Sequence, residues 1–116
     1  MIRGLHGMFY SSDAKGLRSF LRDKLGIDGV DVGDGWLIFE MPEADLGVHP
    51  TEAGGPPSGT AHLSFYCDDI RATVAELVER GVEFTQEIED HGYGFVTFFK
   101  APGDFTIQLY QPKYWK

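Results

Sequence analysis

The chain is poor in cysteine, in basic residues and in long apolar runs. Cys67 is the only cysteine among 116 residues, so no disulfide can close within the chain and a cysteine-rich zinc site is excluded. A reducing, cytoplasmic compartment is expected. Ten Lys and Arg stand against eighteen Asp and Glu, a formal net charge of −8. Such a field repels phosphate backbones and anionic headgroups, so neither nucleic acid nor a membrane surface is an expected partner, while a cationic ligand is mildly favoured. The opening MIRGLHGMFY lacks the apolar stretch of a secretory signal, and no segment approaches the ~20 apolar residues of a membrane span.

What is present suffices for a core: 42% of residues are apolar and 14% aromatic, in the usual range of a folded domain. A repeat organises them. Leu5-His6-Gly7-Met8-Phe9-Tyr10-Ser11-Ser12-Asp13 is echoed by Ala61-His62-Leu63-Ser64-Phe65-Tyr66-Cys67-Asp68-Asp69, with His, Phe, Tyr and Asp in step. Each stretch alternates like a half-buried strand and ends in acidic or hydroxyl residues suited to capping a helix, Ser11 and Ser12 among them. Leu17, Phe20, Leu21 and Leu25 then predict a helix stopped by Gly26, and Ile70, Val74, Leu77 and Val78 a second stopped by Gly81, with Glu76, Glu79 and Arg80 facing away.

Three shorter strands follow each helix, near residues 27–32, 36–40 and 45–49 and near 83–89, 95–100 and 105–110. The pattern is two βαβββ modules, residues 1–49 and 60–116, joined by a Pro- and Gly-rich linker at 50–59 and packed as one domain. Strand alternation puts Leu5, Gly7, Phe9, Leu63, Phe65 and Cys67 on the helix-covered face. The opposite face receives His6, Met8, Tyr10, His62, Ser64, Tyr66, Thr106, Gln108 and Tyr110, in composition a small-molecule pocket or, equally, aromatics closing the core. Asp90-His91-Gly92-Tyr93-Gly94 reads as a turn or a lip beside that pocket. Cys67 is expected to be inert, and no Gly-x-Ser-x-Gly elbow or phosphate loop is present.

Two βαβββ modules, a histidine in the first strand of each, and a closing Leu109-Tyr110-Gln111-Pro112 resemble the vicinal oxygen chelate superfamily, the glyoxalase, bleomycin-resistance and extradiol dioxygenase fold. The resemblance covers nearly the whole chain and implies an α+β fold in which the modules form a cupped mixed sheet with helices on its outer face. Metal-using members take one ligand from the first and one from the last strand of each module. The matching positions here are His6 and His62, then Gln108 where the family pattern carries glutamate, and Leu46 when the first module is aligned on Pro50. Leucine cannot bind metal and glutamine brings no charge; a one-residue shift would instead aim Asp45, Gly47 and His49 inward.

The resemblance therefore implies a small-molecule-binding protein with a degenerate metal site, its pocket including Leu46 with the residues named above, and a homodimer. The alternative is a lyase, isomerase or dioxygenase acting on a vicinal-oxygen substrate through one divalent zinc, nickel, manganese or iron held by His6, His62 and Gln108. Glu40, Asp45 and Glu83 lie on suitable strands, but none is singled out as a general base. A third reading, an interaction module using the tail Lys113-Tyr114-Trp115-Lys116, rests on one aromatic pair.

Overall fold

The computed structural model describes residues 6–9, 11–44 and 51–113. Both expected helices form. In α1, Ala14–Asp23, the Asp13 carboxylate accepts from the Gly16 amide at 2.9 Å, and Leu17 and Leu21, one turn apart, are buried. In α2, Ile70–Glu79, Asp69 caps Ala72 at 3.1 Å, and Ile70 and Leu77 are buried. Its end is a Schellman motif: Gly81 takes φ 86°, its amide donates to Val78 O, and the Val82 amide donates to Leu77 O. The apolar stripe is narrower than expected. Val78 is 53% exposed, because it sits about 100° round the helix from Leu77 and clears the sheet.

Ser11 departs from its expected capping role. Asp13 alone caps α1, while the Ser11 hydroxyl accepts from the Asp13 amide and donates to Pro102 O at 2.8 Å. It thereby ties the first module to the turn between two strands of the second. Gly103 permits the approach, since a Cβ there would lie 2.1 Å from Ser11 Oγ.

The strands form two sheets. β1, Gly29–Asp31, pairs antiparallel with β2, Leu37–Phe39, across a turn in which Asp34 takes φ 52°. β3, Ser64–Tyr66, β4, Glu89–Asp90, β5, Gly94–Ala101, and β6, Phe105–Pro112, form a mixed sheet of order β3-β6-β5-β4, with β3–β6 parallel and the rest antiparallel. No ladder joins the two sheets among the described residues. The strand expected at 45–49 lies outside those residues.

The strand expected over 83–89 is broken. Phe84 faces Phe99 while Glu89 faces Val96, so five steps of one strand oppose three of the other. The surplus bows out, and the Thr97 hydroxyl, donating to Gln86 O at 3.0 Å, takes up a carbonyl that the ladder leaves free.

One apolar cluster draws on both modules: Leu17 and Leu21 from α1, Ile70 and Leu77 from α2, and Val82, Phe99, Ala101, Ile107 and Leu109 from the second half. Phe99 and Ile107, each 1% exposed, oppose one another at its centre, and Phe20 stacks on Phe99 at 6.1 Å. Burying side chains of this size stabilises the fold by about 1.5–3 kcal/mol each. The echoed segments also meet. Phe9 lies 6.3 Å from Phe65, and a Cβ on Gly7 would reach Leu63 at 3.0 Å.

Candidate functional site

With both helices and the core on one face of the four-stranded sheet, the alternate residues project from the other. Register places them in rungs. Ser64, Gln108 and Phe98 form one rung across β3, β6 and β5; Tyr66, Tyr110 and Val96 form the next. Lys100 opposes Thr106 one rung beyond, with Thr106 exposed. The expected neighbours Ser64, Tyr66, Thr106, Gln108 and Tyr110 thus share this face. Within it the Ser64 hydroxyl donates to Gln108 Oε1.

His6, Met8 and His62 are exposed and lie outside the ladders, His62 two residues before β3. Tyr10 and Leu46 fall outside the described residues, as do Asp45, Gly47, His49 and the tail at 114–116. Glu40 is exposed, and Glu83 is an exposed surface partner of Lys100 at 3.2 Å. Cys67 packs against the helix-side core, and burial pushes its thiol up from the ordinary value.

Phe98, Val96 and Gly94 on this face were not apparent from sequence. The signal was the density of apolar residues in β5, Phe95, Val96, Phe98 and Phe99 on both of its faces, which marks a strand covered on both sides; Val96 is fully buried although it points away from the helices. Gly94 is a position of close approach: a Cβ would lie 2.4 Å from Tyr110 Cε2, so the absent side chain makes room for that ring. Tyr110 in turn contacts Tyr93 at 5.8 Å, and Tyr93 contacts His91 at 6.0 Å. The turn between β4 and β5 therefore adds two rings to the two tyrosines of the sheet.

The residues suited to a metal do not fit one. Among the described residues no three of His, Cys, Asp and Glu come together as a cation-binding group. Gln108, the expected donor on the last strand, has its amide oxygen engaged by Ser64, and two imidazoles with a carboxamide supply no anion to offset a buried dication. Two cavities of about 350 and 590 Å³ open elsewhere, one beside the start of α2 at Asp69, Phe95 and Gln111, the other over the bulge at Phe84, Gln86 and Thr97. No helix among the described residues is long and apolar enough to cross a membrane.

The fold and the sequence have relatives. An antibiotic binding protein, TnmS3 from Streptomyces sp. CB03234, is 28% identical over 89% of each chain, with a TM-score of 0.63. A member of the glyoxalase, bleomycin resistance protein and dioxygenase superfamily from Sphaerobacter thermophilus DSM 20745 is 26% identical over 95% of this chain and 98% of its own, TM-score 0.62. Lactoylglutathione lyase from Agrobacterium tumefaciens shares the fold at 17% identity, 92% and 91% coverage and TM-score 0.63. Comparison with curated proteins yields no match. Residues 5–109 match the Glyoxalase/Bleomycin resistance protein/Dioxygenase superfamily across both modules and the helix-free face just described, and the chain belongs to that family.

Proposed function

We propose that the protein binds a small organic molecule on the helix-free face of its four-stranded sheet, without a metal. The observation that carries this reading is the Ser64–Gln108 hydrogen bond. It occupies the carboxamide oxygen and leaves the two N–H donors of the amide, a group suited to an acceptor on an organic ligand rather than to a cation. Around it stand Phe98, Tyr66 and Tyr110 in adjacent rungs, the aromatic setting with few polar groups that small-molecule sites share. The likeness to an antibiotic binding protein at 28% identity supports sequestration.

The reading includes a homodimer in the cytoplasm. The two-stranded sheet and the turn that joins its strands expose Val30, Val32 and Trp36 at 58%, 63% and 50%, and a hairpin of that size is marginal without further packing; a second copy would cover it. The lone thiol suits a reducing compartment.

A thermal-shift screen of small organic compounds, repeated with EDTA and followed by calorimetry, tests the reading. A ligand present at a hundred times its Kd stabilises by about 2.7 kcal/mol, and EDTA leaves that shift unchanged. Binding abolished by EDTA and restored by zinc, nickel, manganese or iron would establish the metal-dependent alternative through His6, His62 and Gln108 instead.

A further inference from the structure

The bow between Phe84 and Glu89 does more than break a strand. Where residues 85–88 leave the ladder, a cavity of about 590 Å³ opens between that segment and α2, on the helix-covered side of the sheet. Val74, Phe84 and Ile88 give it half-buried apolar walls that pack against the core. Thr97 lines it from β5, buried, with its hydroxyl donating to Gln86 O. Bulges re-aim side chains in this way beside binding sites, and the volume suits a small molecule.

Two opposite charges line this cavity and neither is engaged. Arg71 enters from α2, one turn before Val74, and Glu87 from the bowed segment. Among the described arginines, Arg18 lies over Trp36, Arg22 pairs with Asp23 and Arg80 with Glu76, whereas Arg71 has no such partner. The carboxylates around Glu87 are all held: Glu83 by Lys100, Glu89 by Gln86 and His91, Asp90 by Lys113. Glu87 has no partner among the described residues and does not meet Arg71 across the cavity. Asp68 and Asp69 flank the start of α2, but Asp69 is the cap of Ala72 and neither pairs with Arg71. A simple cation would leave Arg71 unpaired, and a simple anion would meet Glu87 and a net charge of −8. A ligand carrying both charges satisfies both walls.

We propose that this cavity is a second ligand site for a small zwitterion with an apolar side chain, the chemistry of a free aliphatic α-amino acid. The ligand carboxylate accepts from the Arg71 guanidinium, whose planar fork suits a carboxylate. Its ammonium donates to the Glu87 carboxylate, and its side chain covers Val74, Phe84 and Ile88. The site goes beyond the binding reading above and does not depend on it. Thr97 opposes Leu109 and Phe84 packs on Phe99, both on the side of the sheet away from Ser64 and Gln108.

The test is an NMR amide-shift titration of the full chain with L-leucine, against isocaproate, which lacks the ammonium, and isoamylamine, which lacks the carboxylate. Saturable shifts with leucine are expected in residues 71–74 and 84–88, and each single-charge analogue binds about tenfold more weakly or worse. Arg71→Met and Glu87→Gln, both at exposed positions, each weaken leucine binding about tenfold or more while the thermal midpoint stays within a few degrees of wild type. Lys15→Met, an equal loss of charge on exposed α1 surface, leaves it unchanged. The proposal is overturned if leucine gives no saturable shift, if either analogue binds as tightly, or if either cavity variant binds like wild type. It is overturned equally if Lys15→Met weakens binding as much, or if the shifts centre on Ser64, Gln108 and Tyr110. A compound bound to the helix-free face keeps its affinity in Arg71→Met, so the two sites succeed or fail separately.

Discussion

Ser64 and Gln108 face each other across the parallel β3–β6 pair, and the hydroxyl of one donates to the amide oxygen of the other. A neutral pair thus occupies this rung of the helix-free face, with no charged side chain in it.

Replacing Gln108 by Glu puts an anion at that rung. Affinity for zinc or nickel, measured by calorimetry, is expected to rise at least tenfold over wild type, about 1.4 kcal/mol, because the missing charge is restored. Equal affinity in both proteins would show that the carboxamide is not what limits metal binding. Ser64→Ala, at an exposed position, costs about 1 kcal/mol or less in stability.

Phe99 is 1% exposed and touches Phe20 and Phe84. Phe99→Ala is expected to cost about 3–5 kcal/mol in urea unfolding, through lost transfer free energy and a cavity between α1 and the sheet. A loss under about 1 kcal/mol would mean that α1 does not pack there.

Gly81 ends α2 at φ 86°. Gly81→Ala forces a side chain into the left-handed region and is expected to lower stability by about 1–2 kcal/mol, with Gly81→Asn milder. Equal stability of all three proteins in thermal unfolding would contradict the Schellman geometry.

The Lys113 ammonium, followed by the Gly92 amide, holds the Asp90 carboxyl below its ordinary value. A folded value that is depressed contributes stability above the unfolded pKa, and that contribution disappears as pH falls through the folded one. Asp90 is exposed, so the effect is local to the turn. Carboxyl titration by NMR should place the Asp90 midpoint lower in wild type than in Lys113→Met; coincident midpoints would remove Lys113 as the anchor of the turn.

Much of this architecture was legible because it is local. Asp13 and Asp69 cap, Leu17, Leu21, Ile70 and Leu77 turn inward, and Gly81 stops its helix, all within the reach of a few neighbouring residues. Alternation likewise assigned Ser64, Tyr66, Thr106, Gln108 and Tyr110 to a common face, since a strand has only two. Val78, Ser11 and the segment at 83–89 departed from expectation because each answers to something distant: the height of the sheet under α2, the carbonyl of Pro102, and the hydroxyl of Thr97.

The sequence by itself determined both helices with their caps, the strand at Ser64–Tyr66 and the faces of the closing strands, since each follows from residue type and period, whereas the strand expected in the first echoed segment does not form over residues 6–9. Only the tertiary structure decided that Ser64 consumes the oxygen of Gln108, that Gly94 makes way for Tyr110, and that Lys113 reaches back to Asp90 and Tyr93. These are contacts between residues 16 to 44 positions apart. No periodicity encodes them; they arise when strand pairing brings distant segments of the chain side by side.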